Sequence, residues 1–292
     1  MAEHEIASPL PWGDIGGTLV LPAGAGPWPV ALLVSGSGPT DRDGNSPLLP
    51  ARVDNLKLLA QGLADRGLAS LRYDKRGVGA SHLPGLSEEA LRFEDLVADA
   101  VALGRMLHGD PRFGALVLVG HSEGALIATL AARALSPLAV VSIAGAGERA
   151  STLMRRQIQA VLPADLAAQA VAALAALEAG QLVEAVPQEL VLLFRPSVQP
   201  YLVSWFRHDP ATLLAGLSLP TLLVHGAGDV QVPPNQAEML RQAHPAARLL
   251  LVPGMDHLLA VEGDVARGVA AVAREVGSWL DQLPATSSTA AR

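Results

Sequence analysis

The stretch Val117–Leu130, "VLVGHSEGALIATL", decides how this chain is read. A β-branched apolar run ends at Gly120, and an alanine-rich run of helical character follows Gly124. Between them stands Gly120-His121-Ser122-Glu123-Gly124, a G-x-S-x-G pattern that occurs once in the chain. A strand turning sharply into a helix at this point lifts a serine hydroxyl clear of the sheet, and the glycines let backbones crowd together. The free N–H groups and positive end of the helix then lie beside that hydroxyl. The setting predicts a nucleophile, Ser122, rather than a tight turn with an incidental serine.

A serine nucleophile needs a base, and the base needs an orienting carboxylate. Around such an elbow the order along the chain is serine, acid, histidine. "LLVHGAGDVQVP" places Asp229 in the loop after a late apolar run, and "LLLVPGMDHLL" places His257 after the next. Both lie where strand C-terminal ends build the site of an open α/β sheet. Asp256, Glu262 and Asp264 compete with Asp229 for the acid. A residue adjacent to His257 in sequence points elsewhere, so the expected triad is Ser122, Asp229 and His257. His121 and His225 read as structural, and His4, His82, His108, His208 and His244 fit no strand-end loop in the required order.

An earlier glycine turn, "VALLVSGSGPTDRDGN" (Val30–Asn45), needs its own explanation. A dinucleotide fingerprint requires a third glycine where Asp41 stands, and no Gly-Lys-Ser/Thr follows for a P-loop. A calcium loop starting at Asp41, Asp43 and Asn45 lacks the glycine after Asn45 and has Arg52 at its twelfth position. The remaining reading is an oxyanion loop, with the backbone N–H groups of Ser37 and Glu123 as donors to the charge that develops in acyl transfer.

Strands alternate with helices along most of the 292 residues, and several apolar runs are continuous enough for strands buried on both faces of a parallel sheet. The rhythm breaks between Glu148 and Pro210, where "PADLAAQAVAALAALEAG" (Pro163–Gly180) reads as a helix and "QELVLLF" (Gln188–Phe194) is ambiguous. The expected organisation is a core over 1–147 and 211–283, a helical cap insertion over 148–210, and a disordered tail over 284–292. Half the residues are hydrophobic but only 3% are aromatic, so Leu, Val and Ala must fill the core. A formal charge of −7 argues against nucleic acid as a partner. The absence of cysteine excludes disulfides, a thiol nucleophile and thiolate metal sites. The first residues lack a long apolar segment and no window suits a membrane span, so a cytoplasmic location without membrane association is expected. A homo-oligomer is compatible with this composition.

The chain resembles the α/β-hydrolase superfamily, close to a bacterial carboxylesterase subgroup related to serine aminopeptidase-like hydrolases. The matching pieces are "SGSGPTDRDGN", "YDKRGVGAS", "GHSEG", "GAGDVQVP" and "GMDHLL", in family order over nearly the whole chain. Ser35-Gly36-Ser37-Gly38 stands where lipases carry H-G-G-G. The resemblance implies a mostly parallel sheet flanked by helices, a helical cap, no cofactor and no metal. Asp41, Arg42, Asp43, Asp74, Arg76 and Gly77 would pin loops at the rim through Arg–carboxylate pairs. The expected activity is hydrolysis of a small ester. Its rivals are a thioesterase, an aminopeptidase with a cap carboxylate (Glu178, Glu184 or Glu189) for the substrate amine, and a non-catalytic ligand-binding protein on the same fold. The cap's site-facing side should be apolar and its acids should face water.

Overall fold

The apolar runs read as strands form one sheet in the computed structural model, which describes residues 1–81, 85 and 87–284. In chain order the elements are β1 (Ala2–Leu10), β2 (Gly13–Leu21), β3 (Trp28–Val34), α1 (Asn55–Ala64), β4 (Ala69–Tyr73), α2 (Phe93–Gly109), β5 (Phe113–His121), α3 (Glu123–Leu135) and β6 (Ala139–Ile143). There follow α4 (Ala150–Val161), α5 (Ala164–Glu178), α6 (Val191–Phe194), α7 (Gln199–Phe206), α8 (Pro210–Ala215), β7 (Thr221–Gly226), α9 (Asn235–Ala243), β8 (Arg248–Val252) and α10 (Val265–Leu280). The strands hydrogen-bond in the order β1-β2-β4-β3-β5-β6-β7-β8. β2 is antiparallel to both neighbours, and every pairing from β4 to β8 is parallel. This is the flanked, mostly parallel sheet expected of an α/β-hydrolase. His82 and the tail from residue 285 lie outside the described residues.

Strand alternation divides the core in two. Val30, Leu32 and Val34 of β3 face one cluster with residues of α2, α3 and the helices between β6 and β7. Ala31 and Leu33 face the other, built with α1 and α10. Helices on both faces explain why these strands show no polar alternation. Each buried leucine contributes about 1.5–3 kcal/mol relative to exposure.

The sequence reading did not anticipate β1. It forms the sheet edge, pairs with β2 across the Pro11-Trp12 turn, and buries only Ser8. A strand that buries so little carries little hydrophobic pattern to read.

The strand order also fixes where a site can form. From β3 the chain crosses through α1 to β4 on one side, then returns through α2 to β5 on the other. The loops leaving β3 and β5 therefore part in opposite directions and open a crevice at the sheet's C-terminal edge.

Between β6 and β7 the described residues form helices and no strand. "QELVLLF" is a 3₁₀ turn running into α6. α7 packs on the start of α2: Trp205 stacks on Phe93 with centroids 5.9 Å apart, and the Phe93 amide donates to Ser204 Oγ at 2.8 Å. Among the described residues no helix is long and apolar enough to cross a membrane.

Candidate active site

Ser122 stands between β5 and α3 with φ 55° and ψ −118°, a conformation rarely open to a residue with a side chain. Its amide donates to Ile143 O at 2.8 Å, which anchors the turn to β6. The flanking glycines are required by contact distance. A Cβ on Gly120 would lie 2.0 Å from Gly124 O, and one on Gly124 would lie 2.2 Å from Val34 O.

The structure brings Ser122, His257 and Asp229 together from the loops after β5, β8 and β7. His257 Nδ1 lies 2.8 Å from Asp229 Oδ2, and His257 Nε2 lies 3.1 Å from Ser122 Oγ. A carboxylate can only accept, so Nδ1 carries the hydrogen and Nε2 of the neutral ring is free to accept from the serine hydroxyl. Asp229 is buried, which by itself raises its pKa. The hydrogen bond and charge of His257, with the amide of Val232, outweigh burial and hold the carboxyl below its ordinary value. Asp229 Oδ1 accepts from the amides of Gln231 (3.0 Å) and Val232 (2.8 Å).

The competing acids have other partners. Asp256 Oδ1 accepts from the amides of Leu258 and Ala260 and so shapes the loop that carries His257. Asp264 caps α10 through the Arg267 amide, and Glu262 pairs with the Arg267 side chain. The two histidines read as structural are buried beside the site. His121 Nε2 donates to His257 O at 2.8 Å; burial and then the neighbouring His257 push its pKa down to about 4. His225 Nε2 donates to Val232 O at 2.7 Å, and burial lowers its pKa also.

The loop after β3 lies against the nucleophile, since a Cβ on Gly36 would come within 3.4 Å of Ser122 Cβ. Thr40 Oγ1 donates to Ser37 O at 2.8 Å and folds the loop back on itself. Ser37, Ser122 and Glu123 share the wall of a cleft of about 230 Å³, completed by apolar side chains including Leu126, Leu153, Met154 and Trp205. Farther along, Asp41 Oδ1 accepts from the amides of Asp43 and Asn45, Asp43 pairs with Arg72, and Asn45 holds Asp54 and the Val53 amide. Arg42 pairs with Asp74 and Arg76 with Asp99. Among the described residues no group of three His, Cys, Asp or Glu is disposed to hold a metal ion.

Three side chains at the site escaped the sequence reading. Lys75, inside the quoted "YDKRGVGAS", is buried and pairs with Glu123 Oε1 at 3.0 Å. Tyr201 of α7 donates to Glu123 Oε2 at 2.7 Å. A glutamate inside a buried elbow is itself the signal, because it demands a cation and a donor. The third is Glu148, which corrects the expectation that acids of segment 148–210 face water. Glu178, Glu184 and Glu189 are exposed, but Glu148 lines the cleft, held by Arg156 and by Gln236 Nε2 at 3.0 Å.

Comparison with known proteins bears on the family and the fold. Esterase EstD of Thermotoga maritima is 28% identical over 247 residues, which are 83% of this chain and 57% of that protein, so the chain spans little more than half of this relative. Est1E from Butyrivibrio proteoclasticus superposes with a TM-score of 0.64 at 14% identity, over 95% of this chain and 99% of its own. GrgF, an alpha/beta hydrolase from Penicillium sp. sh18, gives 0.65 at 18%, over 97% and 99%. At such identities the two structures show the fold alone. The model of the serine aminopeptidase S33 family matches residues 52–264, well over half of the chain and all of the loops carrying Ser122, Asp229 and His257, and the chain belongs to that family of α/β-hydrolases.

Proposed function

We propose that this protein is a serine carboxylesterase acting on small esters of short to medium acyl chains. The observation that carries the reading is the line Ser122 Oγ, His257 Nε2, His257 Nδ1, Asp229 Oδ2, with separations of 3.1 and 2.8 Å, whose serine end lines a largely apolar cleft. His257 takes the proton from Ser122 as the oxygen attacks the ester carbonyl. Asp229 holds the ring in the required tautomer and stabilises its charged form. The N–H groups of Ser37 and Glu123 receive the oxyanion. Collapse of the tetrahedral intermediate expels the alcohol, which takes the proton from His257, and leaves Ser122 acylated. Water, activated by His257, then releases the acid. The printed names of EstD and Est1E support ester chemistry.

The helices between β6 and β7 act as the cap and supply Leu153, Met154 and Trp205 to the acyl side of the cleft. An apolar wall discriminates chain length by roughly 1–3 kcal/mol per methylene. One observation favours a second reading, aminopeptidase action: Glu148 is a carboxylate at the cleft, and a substrate α-amine needs such a partner. Glu148 already serves Arg156 and Gln236, which weighs for the esterase.

The test is a panel of chromogenic esters of graded acyl length beside thioester and aminoacyl anilide analogues, with a fluorophosphonate to mark the nucleophile. Ester turnover with label on Ser122 alone is expected. Anilides cleaved as fast as esters, with Glu148→Gln removing only the anilide activity, would establish the aminopeptidase instead.

A further inference from the structure

Lys75 bonds to both arms of the proposed oxyanion site. Its ammonium lies 2.5 Å from Gly36 O and 3.0 Å from Glu123 Oε1, and it is only 3% exposed. Gly36 O and the Ser37 N–H belong to one peptide group. That group is planar and trans, so its N–H points away from its carbonyl oxygen. A cation on the carbonyl therefore fixes the direction of the Ser37 N–H and polarises it as a donor. On the other arm, Lys75 grips the side chain of Glu123, the residue whose amide supplies the second donor. Tyr201 completes the chain by donating to the other carboxylate oxygen of Glu123 at 2.7 Å.

A buried ion pair is poor evidence for stability, because desolvation offsets the attraction. This one joins the loop after β3, the turn after β4 and the start of α3, three elements that must keep register for two amides to converge on one oxygen. The mechanism above assigns it no proton and no bond. We propose that Lys75, held by Glu123 and Tyr201, is a positioning residue that orients and polarises the oxyanion donors. The proposal rests on the esterase reading, in which Ser37 and Glu123 bind the oxyanion.

The test compares the wild type with Lys75→Met/Glu123→Gln, which removes both charges and orphans neither. Removing a whole oxyanion donor costs about 10²–10³ in kcat. A donor left in place but unbraced should cost about 10- to 100-fold in kcat, with KM within twofold. Affinity for a trifluoromethyl ketone, whose adduct with Ser122 carries an oxyanion, should fall by the same factor, and fluorophosphonate should still label Ser122. The acyl-enzyme carbonyl stretch of a slowly turned-over ester should move to higher frequency, which a merely structural role would not do. A folded double variant with kcat within twofold of wild type overturns the proposal. So does a loss confined to KM, which would make Lys75 a substrate contact from the neighbouring cavity of about 310 Å³ that it lines. Should the double variant not fold, Tyr201→Phe decides: a severalfold fall in kcat with a shifted carbonyl stretch supports the proposal, and no change in either overturns it. Absence of ester turnover and of Ser122 labelling in the wild type would instead be failure of the esterase reading.

Discussion

The loops at the C-terminal edge of the sheet and the helices between β6 and β7 solve different problems. In the loops, polar atoms are assigned one by one. Asp229 serves two amides and a histidine, Asp256 two amides, and Asp74 takes the Arg42 backbone and guanidinium together with the Ala80 amide. In the helical segment most burial is Ala, Leu and one aromatic group, and polar ties to the body, such as Tyr201 to Glu123, Ser204 to the Phe93 amide and Gln236 to Glu148, are set around that apolar packing. A hydrogen-bonded loop tolerates almost no change in geometry, whereas an apolar wall tolerates change in volume. On the proposed function, chemistry therefore belongs to the loops and selectivity to the helices.

The largest expected effect tests the first half of that contrast. Ser122→Ala should leave the fold intact and lower ester kcat by about 10⁶-fold, the cost of losing a triad nucleophile. Steady-state turnover and thermal melting check it; residual activity within tenfold of wild type would move the chemistry elsewhere. Next comes Gly124→Ala, whose new Cβ would meet Val34 O at 2.2 Å with no flexible side chain to yield. A loss at or above the upper end of the overpacking range, about 3 kcal/mol, is expected in denaturant unfolding. A near-neutral result would show the elbow to be less crowded than the loop side of the comparison requires.

Protonation offers a third, somewhat smaller perturbation. His121 titrates near 4 in the fold against its ordinary 6.5, because burial opposes its charge. Between those values the unfolded chain binds the proton and the folded one does not. Stability is thus complete above about pH 6.5 and falls as pH drops towards 4, by up to about 3 kcal/mol. His225 is shifted the same way, and the lowered Asp229 extends the loss below its ordinary 3.8. Unfolding midpoints from pH 7.5 down to 4.5 should record the decline, and His121→Gln, which keeps a donor for His257 O, should flatten it. A midpoint independent of pH in the wild type would contradict the buried, neutral His121.

The smallest effect belongs to the helices. Leu153→Ala, at the cleft wall, should shift the ratio of long- to short-chain ester kcat/KM by roughly 1–3 kcal/mol and leave the short-chain kcat near wild type. Glu184→Gln and Glu189→Gln, at exposed positions, should change neither quantity. If Leu153→Ala instead cut kcat for every chain length alike, the helices would share in the chemistry and the division drawn above would fail.

That division also governs what could be read from sequence. The meeting of Ser122, Asp229 and His257 in one hydrogen-bonded line was legible because each sits at the end of an apolar run, and a strand end followed by glycine is a local pattern. The placing of Ser37 and Glu123 beside Ser122 at one cleft was legible by the same rule, and their service as oxyanion donors belongs to the proposed function. Lys75 was not, because its partner is 48 residues away and nothing local separates it from Arg76, which serves Asp99. Tyr201 belongs to a helix whose place over the site depends on Phe93 and Trp205 packing, which no short pattern encodes. β1 was missed for a related reason: its register comes from pairing with β2, and its own side chains bury almost nothing.

The distances along the chain between the three triad residues carry a consequence for biosynthesis. Ser122 and His257 are 135 residues apart, and Asp229 and His257 are 28 apart. A nascent chain can anchor its elbow once β6 docks, through the Ser122 amide on Ile143 O, yet on the proposed function it would hold an inert alcohol until β7 and β8 have been made and added to the sheet. On the proposed function, covalent labelling of Ser122 would count molecules whose β7 and β8 have joined the sheet, and a ribosome-bound chain still lacking β8 should escape the label. The Ser122 hydroxyl would be armed by the last of the described strands to arrive.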